Sequence, residues 1–161
     1  MLLAASAAVL LVAAAAPAGA DPVKVLRSIP FSGENVASQK VKDECELQIK
    51  VPHFLDTYSD EVELIDGSLG KSGRVLELHI TQVHAPGGGA FSGAKSMTVT
   101  GVLRQNGREI GSFTATRYSG GGVFGGYKGT CAIVGRCAKA IGKDIADWLK
   151  NPTKDAKLGN A

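Results

Sequence analysis

Asn106-Gly107 sits between two long alternating stretches, Lys95 to Gln105 and Arg108 to Tyr118. An Asn-Gly pair accepts positive φ at both centres of a type I′ turn, and the twist of that turn matches flanking antiparallel strands. The two stretches are expected to form a hairpin. A two-residue loop then pairs Leu103 with Ile110 and Val99 with Thr114.

The hairpin needs neighbours, because two strands alone bury too little. Arg74 to Val83 alternates Leu76, Leu78 and Ile80 with Glu77 and His79, which predicts a half-buried strand. Val23, Val25, Arg27, Ile29 and Phe31 alternate in the same way and predict a first strand ending near Pro30. Val62 to Ile65 reads as a short strand. Ala85 to Gly93 holds a proline and four glycines and must be a loop.

Two helices complete the pattern. Val41, Cys45 and Ile49 recur every four residues within Val36 to Lys50, with Asn35 as the expected cap and Pro52 as the expected end or kink. Val134, Cys137, Ile141, Ile145 and Trp148 mark an amphipathic helix that Asn151-Pro152 stops. Trp148 is expected in the core. Asp144 and Asp147 are expected on a solvated face beside Lys143 and Lys150. The expected fold class is α+β: a mainly antiparallel sheet of four to five strands with two helices on one face.

Residues 1–20 contain no charge, and Leu2 to Ala16 is almost entirely Ala, Leu and Val. That run is shorter than the ~20 residues of a bilayer span and suits the core of a secretory signal. Ala18-Gly19-Ala20 supplies small residues for cleavage before Asp21, although the run lacks a basic segment before it. Residues 21–151 are then one α+β domain, residues 152–161 a flexible tail, and the location periplasmic or secreted. No stable membrane span is expected after cleavage. The 18 Lys and Arg against 15 Asp and Glu give a net charge of +3, too small a surplus to indicate nucleic acid without a dense basic run.

Export permits disulfides. The three cysteines, Cys45, Cys131 and Cys137, allow at most one intramolecular pair. Cysteines six apart in a regular helix are separated by roughly 600° of rotation and about 9 Å of rise. A helix starting near Arg136 permits Cys131–Cys137, whereas a start at Thr130 favours a bridge to Cys45.

Gly120 to Cys137 packs seven glycines ahead of that helix. The spacing Gly121 to Gly126 resembles a phosphate loop, but Tyr127 displaces Lys128, and Gly129 separates Lys128 from Thr130. A nucleotide cofactor is excluded on that order, and no other cofactor is indicated. A weaker anion site at the helix start, using backbone amides and Lys128, remains an expectation. Val123, Phe124 and Tyr127 are candidate partner contacts, as is Phe91 in the other glycine loop. Ser92-Gly93-Ala94-Lys95 matches the Ser-x-x-Lys of serine enzymes in which lysine activates serine. His53, His79 and His84 do not cluster, and His79 and His84 are expected on opposite strand faces. No metal site is expected.

The run GTCAIVGRCAKAIGKDIADWLKNP, the preceding GGGAFSGAKSM and Glu44-Cys45 near the first helix resemble small exported proteins of Gram-negative bacteria whose function is uncharacterised. The resemblance implies a periplasmic setting and brings no activity. The expected function is a non-enzymatic periplasmic binding or envelope-accessory protein. It would contact an envelope protein or a small anionic ligand through Phe91, Phe124, Tyr127 and Lys128. The alternative is a small secreted serine hydrolase using Ser92 and Lys95.

Overall fold

The computed structural model describes residues 21–88, 92–120 and 128–160. The signal-like segment 1–20 lies outside the described residues, as do Phe91, Val123, Phe124 and Tyr127.

The elements run β1 (Val23–Leu26), α1 (Gln39–Cys45), α2 (Leu47–Tyr58), β2 (Val62–Ile65), β3 (Arg74–His84), β4 (Lys95–Gln105), β5 (Arg108–Ser119), α3 (Thr130–Leu149) and β6 (Ala156–Gly159). They form one six-stranded sheet in the order β2-β1-β3-β4-β5-β6. The centre, β3-β4-β5, is antiparallel. The flanks are parallel: β1 pairs with both β2 and β3, and β6 pairs with β5. The α+β class stands, with six strands and three helices in place of four to five and two.

The hairpin forms at Asn106 and Gly107, with φ of 50° and 79° as a type I′ turn requires. Its register differs from the expectation. Leu103 faces Gly111 and Val99 faces Ala115, because a bulge after Arg104 and Glu109 absorbs Ile110. The extra residue turns Phe113 and Ala115 into the core in place of Ser112 and Thr114. It also sets Gly111 against the Trp148 ring, where a Cβ would come within 2.8 Å of Cζ2.

The first helical stretch is two helices. Glu46 takes φ 51° and breaks the chain between them, while Pro52 stays inside α2. Proline is tolerated there because the acceptor it leaves without a donor is used otherwise. The amide of Ile29 donates to the Gln48 carbonyl at 3.0 Å. Ser38, not Asn35, caps α1: its Oγ accepts from the Val41 amide, and Asn35 takes φ 52° in the preceding turn.

The helices cover one face of the sheet. Alternate residues of β3, β4 and β5 point toward them, among them Leu76, Leu78, Ile80, Met97, Val99 and Phe113. From α3, Val134, Cys137, Ile141 and Ile145 are buried as the periodicity required. Full burial of such aliphatic side chains is worth roughly 1.5–3 kcal/mol each. Trp148 joins the core and meets Phe113 edge-on at 4.8 Å. Asp144 is not on a solvated face: its carboxylate receives two bonds from Arg117, at 2.7 and 2.5 Å, and ties α3 to β5. Asp147 does remain exposed and pairs with Lys150 at 2.8 Å.

The segment expected to be a flexible tail adds β6 to the sheet edge, with Ala156 and Leu158 packed against the core. Four residues of sequence, Ala-Lys-Leu-Gly, carry too short a pattern to be read as a strand without β5 beside them. No helix among the described residues is long and apolar enough to cross a membrane.

Candidate functional site

The two glycine-rich loops leave the sheet at the same end. His84 at the end of β3 pairs with Ser96, and Lys95 at the start of β4 pairs with Ser119 at the end of β5. The loop after β3 and the loop after β5 therefore start side by side. The antiparallel centre of the sheet dictates this, since β4 reverses direction between them.

α3 begins at Thr130, six residues before the later of the two expected starts. Cys131 and Cys137 are consequently about one and two-thirds turns apart on one helix, and the local pair that a start near Arg136 would permit does not form. Cys131 bonds to Cys45 across 86 residues of sequence, with Cα atoms 4.9 Å apart. Cys137 stays reduced and buried. Burial pushes its thiol up to about 11.

The disulfide forms one wall of a cleft of about 380 Å³ between α1, the loop after β3 and the start of α3. Lys40 and Glu44 contribute charge, while Gly87, Gly88 and Gly129 expose backbone. Gly129 is the N-cap of α3 and has no side chain to cap it. The Pro86 carbonyl fastens the two loop bases: it accepts from Thr130 Oγ1 at 3.2 Å and from Ser92 Oγ at 3.1 Å. Lys128 is half-buried beside this junction in sequence.

Ser92 and Lys95 do meet. Lys95 is fully buried and donates from Nζ to Ser92 Oγ at 2.6 Å and to the Gly93 carbonyl at 3.1 Å. Ser92 Oγ in turn donates to the Pro86 carbonyl. In this polarity the lysine donates to the serine, and the chain of bonds closes the loop on itself. A lysine acting as base would have to accept that proton instead.

The histidines lie apart, and no set of three or more His, Cys, Asp or Glu among the described residues is placed to hold a metal. His53 is on the outer side of α2. His79 and His84 share a strand face, against expectation: a bulge between Ile80 and Gln82 shifts the parity, so their partners Thr100 and Ser96 lie on one face of β4.

A cluster that the sequence did not signal lies on the sheet face away from the helices. Ser32 Oγ is 2.6 Å from His79 Nδ1, and His79 Nε2 is 3.3 Å from Glu77 Oε1. Arg104 binds the other Glu77 oxygen. That pair, then the bond to His79, holds the Glu77 carboxyl below the usual carboxylate range. The alternation of Glu77 and His79 was visible in the sequence. The arrival of Ser32 depends on Phe31 bridging to Ile80, a contact 49 residues apart.

No family model matches the chain, and no curated protein does. A solved structure, the crystal structure of an uncharacterised protein, is similar in fold, with a TM-score of 0.59 at 12% identity. The similarity covers 81% of this chain and 93% of that one. At that identity it supports the fold alone.

Proposed function

We propose that this chain is an exported binding or accessory protein of the Gram-negative envelope, whose sheet end carrying both glycine-rich loops acts as a non-enzymatic contact surface. The observation that carries the reading is the common origin of those loops beside one cleft, clamped by Cys45–Cys131 and by the Pro86 carbonyl. A clamped rim with exposed backbone presents a preformed surface, which lowers the ordering cost of binding. The charge-free segment 1–20 and the disulfide both favour an oxidising compartment outside the cytoplasm. The partner is an envelope protein or a small anion; the uncapped start of α3 and Lys128 just before it favour negative charge at this end, while Lys40 and Glu44 of the cleft offset each other.

Crosslinking in periplasmic extract tests it. Replacing Phe91, Phe124 and Tyr127 by alanine should remove the captured species. An unchanged capture profile would sink the reading.

The 2.6 Å contact between Lys95 and Ser92 favours a second reading, a small secreted serine hydrolase. It needs a neutral Lys95 that accepts the Ser92 proton. Ester or amide turnover that vanishes in Ser92→Ala would establish it over the binding reading.

A further inference from the structure

We propose that Ser32, His79 and Glu77 form a further site, separate from the cleft: an acyl-transfer centre that accepts small activated esters at the open sheet face. The geometry assigns each group a role. Ser32 Oγ lies 2.6 Å from His79 Nδ1, within reach for direct proton transfer. With Nδ1 accepting, the remaining ring proton is on Nε2, which faces Glu77 Oε1 at 3.3 Å. Glu77 is fixed in turn by Arg104 and stays ionised, so it can orient the ring and stabilise an imidazolium. The ring nitrogens are exchanged relative to the usual serine triad, but the order nucleophile, base, carboxylate is the same.

Two features of the backbone fit the same chemistry. The amide after a nucleophilic serine commonly stabilises the oxyanion. Here that amide belongs to Gly33, at φ 116°, and it donates to no partner among the described residues. Ser32 itself is held in place, because its amide donates to the Ile80 carbonyl at 2.9 Å. All three side chains are part-exposed: His79 is 34% and Glu77 44% accessible. A shallow cleft of about 360 Å³, lined by Leu69, Lys71, Val75, Glu77 and Arg104, adjoins the carboxylate end. That recess suits a short acyl group.

The reaction balances without a cofactor. Ser32 Oγ attacks the ester carbonyl carbon while its proton moves to His79 Nδ1. The carbon–oxygen bond to the leaving alcohol breaks, and His79 returns the proton to that oxygen. Water then attacks the acyl-serine by the same route, releasing the acid and restoring Ser32.

The test uses the full chain, a fluorophosphonate probe and 4-nitrophenyl acetate. The probe should label one residue, mapped by peptide mass to Ser32. Acetate hydrolysis should fall to the uncatalysed rate in Ser32→Ala and by about 100-fold or more in His79→Gln. Glu77→Gln should lower kcat with little change in KM, and Thr114→Ala, elsewhere on the same face, should keep the wild-type rate. Labelling of the wild-type chain needs no variant, so it stands even if Ser32→Ala does not fold. No label, or a label on Ser92 or another residue, overturns the proposal.

Discussion

Cys45 and Cys131 are 86 residues apart in sequence and 4.9 Å apart between Cα atoms, so one covalent bond fastens the last residue of α1 to the second residue of α3. Closing a loop of this length removes much of the freedom of the unfolded chain, and loss of such a bond typically costs about 2–5 kcal/mol. Urea unfolding of the Cys45→Ala/Cys131→Ala double variant should show a drop in that range. A midpoint unchanged from the oxidised wild type would mean that the helices hold this end of the sheet without the bond.

Two glycines of α3 should respond to alanine with opposite signs. A Cβ on Gly142 would come within 2.7 Å of Phe54 Cβ and 2.9 Å of the Leu55 amide nitrogen, where α2 crosses α3. Overpacking of that kind costs about 1–3 kcal/mol, and alanine's helix propensity returns only about 1. Gly135 meets nothing within 4 Å among the described residues, so alanine there should gain about 0.5–1 kcal/mol. Thermal melts of Gly142→Ala and Gly135→Ala check both, at roughly 4 °C per kcal/mol for a domain of this size.

The Arg117–Asp144 pair should prove energetically coupled, while Lys150–Asp147 should not. Arg117 delivers two bonds to a carboxylate that is only 16% exposed, whereas Lys150 and Asp147 are 68% and 57% exposed and one turn apart. Bidentate, charge-assisted bonds at a part-buried site are worth about 1–3 kcal/mol. Exposed pairs are screened by solvent and often contribute nothing measurable. Double-mutant cycles in denaturant measure the difference, and equal coupling for both pairs would contradict it.

Cys137 should make folding stability fall at alkaline pH. Its thiol ionises near 9.0 when unfolded and near 11 when folded, because burial disfavours the thiolate. The unfolded chain therefore loses its proton first. The stability tied to this group is fully present below pH 9 and is lost as pH rises toward 11. Subtracting the profile of Cys137→Ser isolates it from the other groups that titrate there. At pH 8 the thiol should resist iodoacetamide in the folded chain and react after unfolding; rapid reaction in the folded state would show that the site opens.

Local pattern carried much of the fold. The alternation of Leu76, Leu78 and Ile80, the Asn106-Gly107 turn, and the spacing of Val134, Ile141 and Ile145 each describe an element whose period is written in neighbouring residues. Register was less legible. Nothing beside Ile110 or Thr81 marks a bulge, because a bulge is chosen by which partner residues reach the core across the sheet. The candidate sites divide in the same way. Ser92 and Lys95 are three residues apart, and their contact was readable. Ser32 and His79 are 47 apart, and their contact was not.

Neighbouring residues alone specify a hairpin-centred sheet with an amphipathic helix at its end, since those preferences act within a few positions. The sequence also limited the cysteines to one pair. The tertiary structure decided which pair, by starting α3 at Thr130 and turning Cys131 toward α1. It kept Pro52 inside a helix by giving the Gln48 carbonyl a donor from Ile29. It drew Ala156–Gly159 out of an apparent tail and onto β5. Each of these outcomes rests on a hydrogen bond or a covalent bond between distant segments, and such a partner exists only once the chain has closed on itself.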